Sequence, residues 1–239
     1  MRYEPDLIRE HPPAGSLMEN AYRRLKREII ELHRAPGATF TELEVATAFG
    51  LSKTPVREAL ARLHRDGLVR PLPRAGYVVS PVTLGDATDL CDMRALLQSQ
   101  AAALCAERGL PAADGARLAE LAIDTDEDQL GGPHFEERFR ANYEFESIIA
   151  NGSGNHRLAA ASIGVLDEIE RISRLSIRLD PSMPPERLRE RQAVVDAIAA
   201  RDPDAARAAM RRRTTSARRE TIGALAASRS ITDAEIAVP

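Results

Sequence analysis

Tryptophan is absent, and phenylalanine and tyrosine bring the aromatic share to only 4% of 239 residues. A β-sandwich of this length needs aromatic and β-branched strands, so the shortage, set beside abundant alanine and leucine, points to a mainly α protein. Cysteine is scarce too. Cys91 and Cys105 are too few for a disulfide framework and too far apart for a Cys-x-x-Cys pair, which fits a reducing cytoplasm. No apolar run approaches the roughly 18 residues of a membrane span, and the N-terminal MRYEPDLIREHPP lacks the apolar core of a signal peptide. Also missing are a Gly-rich phosphate loop, a nucleophile elbow and an HExxH motif, which argues against an enzyme.

What is present is 44% hydrophobic and 29% charged residues, enough for two folded domains. The formal charge of −3 conceals an asymmetry, +3 over residues 1–81 and −6 over 82–239. The stretch 52–74 holds Lys53, Arg57, Arg62, Arg65, Arg70 and Arg74 against Glu58 and Asp66, a local excess suited to a polyanion.

Ser16-Leu17-Met18-Glu19 reads as a capping box opening a helix with Leu17, Ala21, Leu25, Ile29 and Leu32 on one face. Thr41-Glu42-Leu43-Glu44 opens a second, short helix that closes at Gly50, and Ser52 caps a third with Val56, Leu60 and Leu63 on one face. Two short helices across a tight Gly turn, the second basic, are the layout of a helix-turn-helix. Leu68–Leu72, a turn at Pro73–Gly76 and Tyr77–Ser80 then read as a β-hairpin with a basic tip, a wing.

At this point a resemblance becomes specific. Phe40-Thr41-Glu42, Leu51 through Leu60, Asp66-Gly67-Leu68-Val69 and Gly76-Tyr77-Val78-Val79 look like the winged helix of the GntR family, over about residues 17–81. In such a domain Thr41 and Ser52 sit at helix N-termini, where free N–H groups favour phosphate. Lys53 and Thr54 begin the recognition helix. From it Arg57 reaches guanine O6 and N7 bidentately. Arg74 and Gly76 form the wing tip, and Arg62 is either a further DNA contact or a solvated side chain. The family commonly carries arginine at the places of Leu43 and Lys53, so the operator departs from the family's commonest half-site.

Residues 83–228 read as about six helices, with Gly131-Gly132-Pro133 opening the third, Pro184 the fifth and Asp202-Pro203 the last. The domain reading is an N-terminal extension over 1–16, a winged helix over 17–81, an all-helical bundle over 83–228 and a tail over 229–239. Polar side chains interrupt the apolar stripes: Arg94 between Leu90 and Leu97, Asn142 and Glu146 between Phe139 and Ile149, Arg191 before Val195, and Arg213 before Ala217. Inward charges pair with one another or with a ligand, so both an interhelical salt-bridge network and a pocket stay open.

Here too a resemblance extends. Asp92-Met93-Arg94-Ala95-Leu96-Leu97, Ser153-Gly154-Asn155 and Ala197 through Ala206 look like the FCD effector domain of the FadR subfamily. That domain often holds a divalent metal on one Asp and three His beside a bound carboxylate. Asn142, Glu146, Arg191 and Arg213 fall at those four places, and none is of the usual ligand type. The resemblance so adjusted implies no cofactor and a metal-free pocket in which Arg94, Arg191 and Arg213 meet a carboxylate directly.

The leading reading is a cytoplasmic, ligand-responsive transcriptional regulator, a repressor in its simplest form. It binds a near-palindromic operator as a homodimer and is modulated by a small organic acid. The alternatives are a constitutive DNA-binding protein whose helical half only dimerises, and an enzyme carrying a DNA-binding module.

Overall fold

A computed structural model of the chain describes residues 16–123, 135–179 and 187–227. The N-terminal extension before Ser16, the Gly131-Gly132-Pro133 helix opening, the Pro184 helix start and the tail lie outside the described residues. Residues 16–84 and 85–227 form two compact units.

In the first unit α1 (Leu17–Ile30) is capped by the Ser16 hydroxyl, which accepts from the Glu19 N–H at 3.2 Å. The box is only half closed, because the Glu19 carboxylate turns to Arg23 and Arg62. A left-handed Leu32 (φ 61°) turns the chain towards β1 (Thr39–Phe40), and α2 (Glu42–Phe49) follows. Its Thr41–Glu44 capping box is complete in both directions, and Gly50 ends the helix in the left-handed conformation. The third helix α3 (Lys53–Arg65) starts at Ser52, whose side chain makes no capping bond, contrary to the sequence expectation. Ser52 takes the extended N-cap backbone without the hydrogen bond that normally accompanies it.

β2 (Val69–Leu72) and β3 (Gly76–Val79) form the expected hairpin, but the sheet has a third strand. Its order is β1-β3-β2, all antiparallel, with Thr39 opposite Val78 and Phe40 opposite Tyr77. Only Gly fits at position 76. Its φ is +99°, and a Cβ there would strike the Phe40 carbonyl oxygen of β1. Leu25, Ile29, Val45, Val56, Leu60 and Leu63 make one core beneath this sheet, all fully buried.

The second unit is wholly helical in its described residues: α4 (Leu84–Arg108), α5 (Ala112–Ala122), α6 (Phe135–Gly152), α7 (His156–Leu179), α8 (Arg187–Ala199) and α9 (Pro203–Ala227). Asn155 caps α7 by accepting from the N–H groups of Arg157 and Leu158, and Asp202 caps α9 through Asp204 and Ala205. Small residues of α4, Ala101, Ala102 and Cys105, meet Leu118, Phe145, Val194 and Met210 in the main core. Burying each of the larger side chains contributes about 1.5–3 kcal/mol.

Candidate nucleic-acid interface and buried arginine cluster

α3 divides its residues by face. Val56, Ala59, Leu60 and Leu63 are buried, while Ser52, Lys53, Thr54 and Arg57 are exposed. Among the described residues the Ser52 hydroxyl and the Lys53 ammonium have no partner, so the start of α3 offers a hydroxyl, an ammonium and its own first N–H groups. Arg57, with 67% of its side chain exposed, is aimed by a feature the sequence reading missed. Its Nε and Nη2 donate to the Glu42 carboxylate at 3.0–3.2 Å. Tyr77 of β3 reaches the same carboxylate at 3.5 Å. The hydrogen bond to Glu42 and its charge hold the Arg57 guanidinium above its ordinary pKa. Glu42 is the first residue of α2, and no local spacing ties it to a side chain 15 residues on.

Two other expected contacts stand differently. The Thr41 N–H donates to Glu44 at 2.7 Å and the Thr41 hydroxyl accepts from the Glu44 N–H, so the capping box already uses the groups expected to meet phosphate. Arg62 is turned inward along the α1–α3 seam. Its Nη1 donates to Glu19 at 2.7 Å and its guanidinium lies 3.7 Å over the Tyr22 ring. The Tyr22 hydroxyl in turn donates to Asp66 at 2.7 Å, and burial, with that acceptor, pushes the phenol up to about 12. Arg74 (φ 66°) and Gly76 do form the turn of the wing, with Arg74 exposed and, among the described residues, unpartnered.

In the helical unit the five polar residues that interrupt the stripes converge. Arg94 of α4 binds Glu146 through Nε at 3.1 Å and through Nη2, and Arg213 of α9 binds the same carboxylate at 2.6 Å. Asn142, one turn before Glu146 on α6, accepts from Arg213 and, at 3.3 Å, from Arg191 of α8. Arg191 also donates to the Leu121 carbonyl at 2.9 Å. Phe145 lies under both Arg191 and Arg213, with guanidinium carbons 5.6 and 5.4 Å from the ring centre. Glu146 is completely buried, and Arg94, Arg191 and Arg213 nearly so. Burial pushes the Glu146 carboxyl up, but Arg94 and Arg213 outweigh it and hold it at about 2.

Of the two open readings, the described arrangement is therefore an internal ion-pair network. Among the described residues it gathers the guanidiniums of Arg94, Arg191 and Arg213 around the Glu146 carboxylate and the Asn142 amide. Sequence reasoning missed a further buried polar residue on α4. Gln98, one turn beyond Arg94, is fully buried, and neither of its amide atoms has a partner among the described residues. A break in the apolar stripe of α4 was its only signal. The donor set does not fit a divalent metal: the Glu146 carboxylate and the Asn142 oxygen already receive arginine N–H groups, and arginine itself is no ligand. Among the described residues no group of three or more His, Cys, Asp or Glu could hold a metal ion.

Known proteins carry the same two parts. Residues 17–79 match the model of bacterial regulatory proteins of the gntR family, and residues 89–215 match that of the FCD domain. An HTH-type transcriptional regulator in an unstable DNA locus of Streptomyces ambofaciens is 30% identical over 191 residues, 80% of this chain and 78% of that one. The HTH-type transcriptional repressor RspR of Escherichia coli is 35% identical over 72 residues, 30% of this chain and 32% of that protein. A GntR transcriptional regulator of Rhodococcus sp. RHA1 shares the fold, with a TM-score of 0.71 at 24% identity over 90% of this chain and all of that one. The relatives and both families are regulators rather than enzymes. With an exposed recognition helix, a wing and a helical FCD unit, this chain is a DNA-binding transcriptional regulator and belongs to the GntR family, in its FadR-like subfamily.

Proposed function

We propose that this regulator is a cytoplasmic repressor that binds a near-palindromic operator as a homodimer and is released by a small organic acid held in the helical unit. On DNA, Lys53, Thr54 and Arg57 read the major groove, Ser52 meets a phosphate and the wing at Arg74 and Gly76 flanks the site. Thr41 contributes through its cap, and Arg62 by holding α1 to α3. Two copies pair through exposed Met93 and Leu96, one turn apart on α4, with Leu96 74% exposed.

The observation that carries the effector site is the convergence of Arg94, Arg191 and Arg213 on the Glu146 carboxylate and the Asn142 oxygen inside the helical unit. A carboxylate entering there takes arginine forks that Glu146 and Asn142 now occupy. The self-satisfied state of the arginines supports a second reading, a constitutive DNA-binding protein whose helical unit only dimerises. Native mass spectrometry of the full-length protein tests both. A dimer retaining an organic acid, without metal, supports the proposal; a bare dimer whose operator affinity no small carboxylate alters supports the second reading, and a retained divalent metal overturns the donor-set argument.

A further inference from the structure

A second site is open elsewhere in the helical unit. A cavity of about 580 Å³ lies between the end of α4, the start of α5 and the end of α8, within the size range of small-molecule pockets. It shares no residue with the arginine cluster, although Leu118 and Val195 in its wall sit one turn along from Leu121 and Arg191. Leu110, Leu118, Val195 and Ile198 make an apolar wall, and Arg108 and Arg201 also line the cavity.

Both arginines are exposed, and among the described residues neither guanidinium has a hydrogen-bond or ion-pair partner. A side chain at Gly109 would collide with the Arg201 guanidinium, and one at Gly154 with that of Arg108. Arg201 itself holds a left-handed backbone (φ 59°), unfavourable for a residue with a Cβ. The nearby Asp202 carboxylate caps α9 and forms no ion pair with Arg201 among the described residues. The first turn of α5 also borders the cavity and has no side-chain cap at Pro111, which adds partial positive charge.

We propose that this cavity binds a small amphiphilic anion, its carboxylate held by Arg108 and Arg201 and its aliphatic or aromatic body laid against Leu110, Leu118, Val195 and Ile198. Two cations without partners above an apolar wall select for both parts of such a molecule. Acetate has the charge without the body, and octanol the body without the charge.

Calorimetric titration of the full-length protein with octanoate tests it, with acetate and octanol as controls. Saturable binding of one octanoate per chain is expected, with both controls at least about tenfold weaker. Gly115 lines the cavity, and a Cβ there meets nothing within 4 Å, so Gly115→Leu fills the space while improving α5. That variant should lose octanoate binding with its thermal melting unchanged or raised. Arg201→Gly removes one cation, relieves the left-handed strain and should weaken binding about tenfold. Absence of saturable binding, octanol binding as tightly as octanoate, or octanoate binding unchanged in the folded Gly115→Leu or Arg201→Gly protein would each overturn the proposal.

Discussion

Arg57 and Glu42 form a pair whose worth lies in direction rather than in stability, since an exposed ion pair contributes little to folding. Arg57→Ala should therefore leave the melting temperature unchanged. Its affinity for an operator selected from random DNA by the parent protein should fall about ten- to a hundredfold, the value of one bidentate base contact. Fluorescence anisotropy with operator and scrambled duplexes would read this, and an unaltered ratio between the two would refute the assignment. Glu42→Ala should raise affinity for scrambled DNA by removing a negative charge, yet lower the operator-to-scrambled ratio because the guanidinium is no longer aimed. Glu146 is the opposite case, a buried carboxylate on which stability rests. Its pKa in the fold, about 2, lies below the ordinary carboxylate value. The stabilisation is thus complete above about pH 4.5 and is lost as pH falls through about 2. Glu146→Gln leaves Arg94 and Arg213 buried without their anion, at a cost of about 3–5 kcal/mol, and should flatten the acid limb of a stability-against-pH curve. An acid limb as steep as that of the parent protein would count against this account.

At the scale of elements, the caps divide the labour between the two helices of the DNA-reading motif. The closed Thr41–Glu44 box stabilises α2, so Thr41→Ala should cost about 1 kcal/mol in denaturant unfolding. Ser52→Ala removes no capping bond and should leave stability unchanged while weakening DNA binding, because its hydroxyl serves α3 only as a group facing outward. Much of this unit was legible in the chain: the Thr41–Glu44 capping box, the Gly50 stop and the apolar face of α3 are local signals with periods of three and four residues. β1 was not. Two residues, Thr39 and Phe40, are too short for an alternating pattern, and their pairing with β3 lies nearly 40 residues away in sequence. Arg62 escaped for a related reason, since its partners Glu19 and Tyr22 belong to a helix distant in sequence.

For the whole molecule, stripe-breaking residues on four helices proved sufficient to locate the buried cluster, because a polar side chain on an inward face must meet something. Which partner it meets is a matter of tertiary distance, and the pairing of Arg94 with Glu146 across 52 residues has no trace in spacing. Gln98 and the Arg108–Arg201 pair were hidden more deeply, the first as an ordinary polar residue and the second as two surface arginines near glycines. Assembly is tested at this scale. Leu96→Glu puts a charge on the most exposed large apolar side chain of α4 and should shift a dimer towards monomer by analytical ultracentrifugation, with little change in helical content. A dimer unaffected at the same protein concentration would place the contact elsewhere.

The two-faced character of α3 bears on how such a regulator diverges. The residues that hold the helix down, Val56, Leu60 and Leu63, and those on its exposed face, Lys53, Thr54 and Arg57, share no position and do not compete for the same physical demand. Gene duplicates can therefore rewrite their target preference one outward residue at a time without passing through an unfolded ancestor, and loss of the old target need not coincide with loss of the protein.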